Sequence, residues 1–418
     1  MVITDSTIGV IKPSGSVEED TARLTELART TRQIFFDPGD GQPLRLNRTV
    51  AFRLAGQRFW GSAPWANTVE WHGDPAQATV LSLRGNQYMS IANMMIRPAG
   101  WGTPDALRVT GGAAITIEDE DGASPAFCEL DNILIHGMGD GVLVRGGAEH
   151  RIRRLHLRNL RGRKGLQFLA RCRATALYRC IVEDLVSAEP ESPEYDAIDQ
   201  NSYSYSVEVS KAALLGGGCG YAMRDDIADG GSYPLWAFAQ DLETDHTAKG
   251  GVELRAGEGF EAVTSWFGSS LGSAGLLTED AWRGDLALSA CRIYGNAREG
   301  MSLAAGKGAA LSGLLVGDNG VMRPGALAGI LIGGGAENIS IAASCCGDMV
   351  GVRGNAQGWG VILRGTPRRV NLSTFGTLEG NQRGKILNET RTVRHDELAG
   401  PHLSEASIRE GARSGVYL

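Results

Sequence analysis

The densest acidic stretch reads Met223-Arg-Asp-Asp-Ile-Ala-Asp-Gly, which holds Asp225, Asp226 and Asp229; Asp241, Glu243, Asp245 and His246 follow about 20 residues later. Cleaving a glycosidic bond takes two carboxyl groups, about 5–5.5 Å apart for retention and about 6.5–9.5 Å for inversion. A chain that returns on itself every twenty-odd residues would bring both clusters onto one face, so Asp225, Asp226, Asp229 and Asp245 are the catalytic candidates. The plainer reading is a solvated loop, because Asp and Gly suit turns. Trp236, Trp266 and Trp282 recur at a similar interval. An exposed ladder of rings grips sugar faces by stacking, while a buried stack would only pack a core, and both readings stand. Arg224, Arg255 and His246 lie beside these groups and complete the substrate-binding candidates.

A second charged feature runs from Arg151 to Arg179 and includes Arg153, Arg154, Arg158, Lys164 and Arg173; an acidic stretch from Glu183 to Asp199 follows it. One reading is a cationic stripe for an anionic capsule or lipopolysaccharide. The plainer one is charge pairing between neighbouring repeats or between subunits. The segment from Ser187 to Tyr205 reads as a long loop, the kind of element that carries binding on a rigid scaffold.

Composition narrows the partners. The net charge is −7, so the basic excess that releases counterions from nucleic-acid phosphates is missing. Seven cysteines form no Cys-x-x-Cys pair, which disfavours a zinc site and leaves small buried hydrophobes; no metal or cofactor is expected. No apolar run reaches the ~18 residues of a membrane span. The opening Met1-Val-Ile-Thr-Asp-Ser-Thr-Ile has neither the basic nor the apolar region of a secretion signal, so synthesis and retention as a soluble chain are expected.

The elements that must position these residues are repetitive. Gly makes up 58 of the 418 residues, about twice the usual ~7%, and is spread throughout. From about residue 80 a Gly leads into alternating apolar residues, as in Gly251-Val-Glu-Leu-Arg, Gly300-Met-Ser-Leu, Gly329-Ile-Leu-Ile and Gly360-Val-Ile-Leu. The later copies recur every 24 to 31 residues. Between them lies a second alternating strand, such as Cys128-Glu-Leu-Asp-Asn-Ile-Leu-Ile-His. Strand-rich repeats of this period describe an all-β fold, a single parallel β-helix of ten or eleven rungs. Ser16 with Glu18 and Glu19 begins a short helix that would cap one open end.

The helix start Glu19-Asp-Thr-Ala-Arg-Leu and the strand Ile34-Phe-Phe-Asp-Pro-Gly that follows resemble the opening of the pectate-lyase-like right-handed β-helix superfamily. Bacteriophage tailspikes, head spikes and depolymerases belong to it. The specific motif spans about twenty residues and speaks to fold more than activity. The resemblance implies a polysaccharide partner and a homotrimer. Its polygalacturonase-type motifs are matched only at Asp225-Asp226, so that mechanism is not supported. In its lyases calcium carboxylates and a basic Arg abstract a proton, roles for which Arg224 and Arg255 are the nearest candidates.

The expected organisation is an extended attachment segment over 1–16, a capping helix and β-helix over 17–387, and a terminal cap over 388–418. The leading functional expectation is a spike or fibre of a phage or phage-like particle, such as a gene transfer agent, that binds bacterial surface polysaccharide. The N-terminal segment would attach it to other virion proteins. The rivals are a polysaccharide lyase or glycoside hydrolase and a purely structural virion subunit.

Overall fold

The computed structural model describes residues 8–169, 171–183, 196–225, 232–342, 344–347, 356–374, 378, 380–390 and 408–410. Its contacts divide the chain into two compact units, Met1–Ala213 and Leu214–Leu418. Each is a coil of short parallel strands, and the fold is an all-β, right-handed parallel β-helix of about 13 turns with one short helix. The repeat count falls short of this number because the early turns use strands of three or four residues, such as Leu44–Leu46, Val50–Phe52 and Leu81–Arg84, with no leading Gly.

The first unit opens on the helix Val17–Thr30. Ser16 caps it, its Oγ accepting the Glu19 N–H at 3.3 Å, and Glu18, Glu19 and Asp20 sit at the positive end of the helix dipole. Asp20 is fully buried and accepts the backbone N–H groups of Ser14 at 2.7 Å and Arg45 at 3.1 Å. At the other end the Gln57 amide donates to the Ala28 and Thr31 carbonyls, which the helix itself leaves unsatisfied. Leu24 and Ala28 are buried on the helix face that meets the first turns of the coil.

From there parallel ladders run Gln33–Phe36, Arg58–Gly61, Ser90–Pro98, Glu129–His136 and Arg151–Arg158. Turns bend through single residues of positive φ that lie over one another. One such corner is Tyr88, Phe127, Glu149 and Ala174; the next is Asn93, Asn132, Arg154 and Arg179. A left-handed residue other than Gly costs roughly 1–2 kcal/mol, yet the bend recurs because the straight strands on either side leave one residue to turn the corner. The Tyr88 and Phe127 rings stack there at 4.9 Å.

In the second unit the Gly-led strands found in the sequence stack in register, with Val252, Leu276, Met301, Ile330, Val361 and Ile386 forming one continuous inward row. Gly is needed at the head of these strands by close approach: a Cβ on Gly300 would sit 2.7 Å from the Gly329 carbonyl oxygen. The same Cβ would lie 2.7 Å from the Asn319 side chain, which belongs to a buried ladder of amides. Asn296 donates to Asn319 at 2.9 Å, Asn319 to Gln357 at 3.3 Å and Gln357 to Asn381 at 2.7 Å. Asn296 and Asn319 also each donate to a carbonyl of a neighbouring turn.

Six cysteines are buried free thiols, and burial pushes Cys128, Cys172 and Cys180 up to about 12, so they act as small hydrophobes. No helix of the described residues is long and apolar enough to cross a membrane.

Asn319→Leu keeps the volume and strands the two flanking buried amides. Each such loss costs about 1–3 kcal/mol, so guanidinium melts should show about 2–5 kcal/mol less stability. Asn381→Ala, at the ladder's half-exposed end, should cost about half as much.

Candidate functional site

The strand Leu235–Asp245 carries Asp245 at its end, and the turn begins with His246, whose φ is 54°. The Asp245 Oδ2 lies 2.6 Å from the His246 Nδ1, while its Oδ1 is buried with no hydrogen-bond partner among the described residues. Register sets Glu243 beside Trp266 and Trp266 beside Arg292. Trp266 is 41% exposed and lies flat over Gly268, where a Cβ would stand 2.1 Å from the indole Nε1. Tyr294 meets it edge-on at 6.4 Å. An exposed aromatic ring thus lies one turn away from Asp245. Such a ring suits a pyranose, whose apolar face stacks on it.

The other candidates separate. Asp225 is exposed and outside any strand, and Asp226 and Asp229 lie outside the described residues, so the acidic cluster is represented by Asp225 and Asp245. Trp236 is 38% exposed and covers Gly259, consistent with an outward platform. Trp282 corrects the aromatic-ladder expectation: it is only 3% exposed, drawn inward over Gly306, and cannot receive a ligand. Arg224 is likewise buried. Arg255 is held by buried Glu253 at 2.8 Å from its Nε and by Glu279 at 3.5 Å. An arginine so neutralised is a poor proton acceptor.

In the first unit the strands place a polar column on one outward row, which the sequence reading missed. Glu70 faces Arg97, His136 follows in the same register, and Arg158 and Glu183 continue it. Arg97 binds Glu70 at 2.8 Å, His156 binds Glu183 at 2.7 Å, and the His136 and His156 rings meet edge-on at 5.6 Å. The His136 Nε2 is buried without a hydrogen bond. Burial, with His156, Arg158 and Arg97 close by, pushes His136 down to about 4, so it stays neutral at pH 7. A ring with so low a value is a weak base, and the arginines on either side are already paired with Glu70 and Glu183. The signal was the parity of alternating positions across turns, readable only once their register is known.

The rest of the basic run resolves into charge pairing between turns. Arg153 and Arg154 bind Glu129 and Asp131, and Lys164 meets Asp196 at 2.7 Å and Asp199 at 3.2 Å. Arg171 and Arg173 lie over the rings of Tyr203 and Tyr205 at 5.9 and 5.7 Å. Of the loop read over Ser187–Tyr205, residues 187–195 lie outside the described residues and Asp196–Gln200 is a buried strand. Among the described residues no three His, Cys, Asp or Glu side chains form a group that could hold a metal ion.

No family model matches the chain, and no curated protein does. Solved structures do. The A-module of the Azotobacter vinelandii mannuronan C-5 epimerase AlgE4 aligns with a TM-score of 0.56 at 12% identity, over 94% of this chain and 96% of that one. Tailspike protein 3 of bacteriophage CBA120 aligns at 0.59 and 13%, over 95% of this chain and 59% of that one. The tailspike of E. coli bacteriophage HK620, solved with a hexasaccharide, aligns at 0.53 and 10%, over 89% and 76%. At these identities what is shared is the fold, a right-handed parallel β-helix.

His136 and the fully buried His150 both have folded values of about 4, below the ordinary 6.5. The unfolded chain therefore binds more protons between these values, and stability falls as pH drops from about 6.5 to 4 and levels off below. Melting temperatures across pH 4–8 should show this slope, and His136→Gln should flatten part of it.

Proposed function

We propose that the chain is a spike or fibre protein of a phage or phage-like particle and that it binds bacterial surface polysaccharide through outward-facing side chains of the coil. The observation that carries the reading is Trp266, exposed over Gly268 and set one turn from Asp245. Parallel turns repeat every ~4.8 Å, so an extended glycan can cross several of them. Tailspikes of this fold, one of them solved with a hexasaccharide, support the choice of partner. In that role the protein assembles as a homotrimer of 44.4 kDa chains, docks through its N-terminal segment to other virion proteins and resides on the particle.

A second reading is depolymerisation, for which Asp225 and Asp245 are the candidates in hydrolysis.

Purified protein should bind capsular or lipopolysaccharide from susceptible hosts in calorimetry, and Trp266→Ala should weaken binding about tenfold. Binding untouched by Trp266→Ala, or absent across a broad panel, would overturn the reading and leave a structural subunit. New unsaturated ends would make the protein a lyase; new reducing ends lost in Asp245→Asn would make it a hydrolase.

A further inference from the structure

A cleft of about 300 Å³ opens on a different outward face of the first unit, between the corner at Tyr88 and Phe127 and the corner at Asn93 and Asn132. Its origin is a gap in two rows of side chains. One row reads Arg58, Ser90, Glu129 and the other Trp60, Ala92, Asp131 from turn to turn. Where the neighbouring turns carry long side chains, the middle turn has only a hydroxymethyl and a methyl. The missing bulk leaves a notch two turn spacings wide, roughly 10 Å.

The walls are chemically distinct. On one side Trp60, backed by Phe35 at 5.9 Å, offers an aromatic ring, and the Arg58 guanidinium has no partner among the described residues. On the other side stand the carboxylates of Glu129 and Asp131. Both are already charge-matched, Glu129 by Arg153 and Asp131 by Arg154, with 2.9 Å from the Arg154 Nε to Asp131. Arg153 also lines the notch, so the paired carboxylates bring no net negative charge to it and keep lone pairs for hydroxyl donors. A ligand for this notch therefore needs a flat apolar face, several hydroxyl donors and acceptors for one guanidinium.

We infer that the notch over Ser90 and Ala92 is a binding subsite for a single pyranose, stacked on Trp60 and hydrogen-bonded by Glu129, Asp131 and Arg58. The volume lies at the lower end of the ~300–1,000 Å³ of ligand pockets, which suits one ring and excludes a longer chain lying inside it. The inference rests on the carbohydrate-binding reading and deepens it. It gives the first unit a contact point for one residue or branch of the glycan, apart from the Trp266 platform.

The test uses the full chain and saturation-transfer NMR with methyl glycosides of neutral hexopyranoses and with methyl glucuronoside. Ala92→Phe fills the notch from the solvent side without touching the core, and a melting curve checks that the variant folds. Measured on a Trp266→Ala background, which removes the other platform, transfer is expected from at least one hexoside, with an affinity loss of about tenfold or more on adding Ala92→Phe or Trp60→Ala. Hexosides that bind as well after Ala92→Phe is added would overturn the inference. Polysaccharide binding that is lost in Trp266→Ala but untouched by Ala92→Phe sinks the subsite alone. Absence of both glycoside and polysaccharide binding sinks the subsite and the broader reading together.

Discussion

Parallel, in-register stacking of one turn on the next governs almost everything else in this protein. Neighbouring strands stand ~4.8 Å apart and their side chains point the same way at equivalent positions. Each residue therefore sits directly over its counterpart, and like meets like. That is favourable for aliphatic rows such as Val252, Leu276, Met301 and Ile330, and a problem for polar or charged ones. The buried amides solve it by self-pairing: an amide is donor and acceptor at once, so Asn296, Asn319 and Gln357 satisfy one another along the stack.

Charge needs alternation instead. Along the outward rows of the first unit acid meets base from turn to turn, as in Glu70 with Arg97, Arg158 with Glu183, and Asp131 with Arg153. The pairs are half-exposed, so each adds little stability on its own. Their greater effect is to fix long side chains on the surface, leaving isolated groups between them. His136 is such a group, and its depressed pKa follows from being buried in a row whose nearest charges are positive. Aromatic platforms obey the same geometry: Trp266 and Trp236 lie flat because the residue over which each extends is Gly.

The functional surface arises from breaks in the stacking. Where one turn substitutes small residues between two turns of long ones, at Ser90 and Ala92, a notch appears with an aromatic wall and an acidic wall. At Trp266 a ring over Gly268 is laid open to solvent. The backbone is the same in both places, so binding chemistry changes by side-chain replacement alone. That is why proteins sharing this fold at 10–13% identity include an epimerase and tailspikes.

The sequence by itself determined the coil. Gly-led alternating strands at a near-constant interval can bury their apolar face only by stacking, and the Ser16 cap with its acidic first turn marked where the helix begins. It also supplied Asp245, His246 and Trp266, because a carboxylate, an imidazole and a ring at repeat spacing are visible without coordinates. Only the tertiary structure decided which side chains face outward and which share a row. Trp266 and Trp282 look alike in sequence as strand-borne rings, yet one is open and the other is buried over Gly306. The left-handed corners at Tyr88, Phe127 and Trp236 carry no local signature, since the flanking strands impose that conformation on residues that do not favour it. Register is a property of paired strands, and the His136 column and the notch over Ala92 exist only where register places residues twenty to forty positions apart side by side.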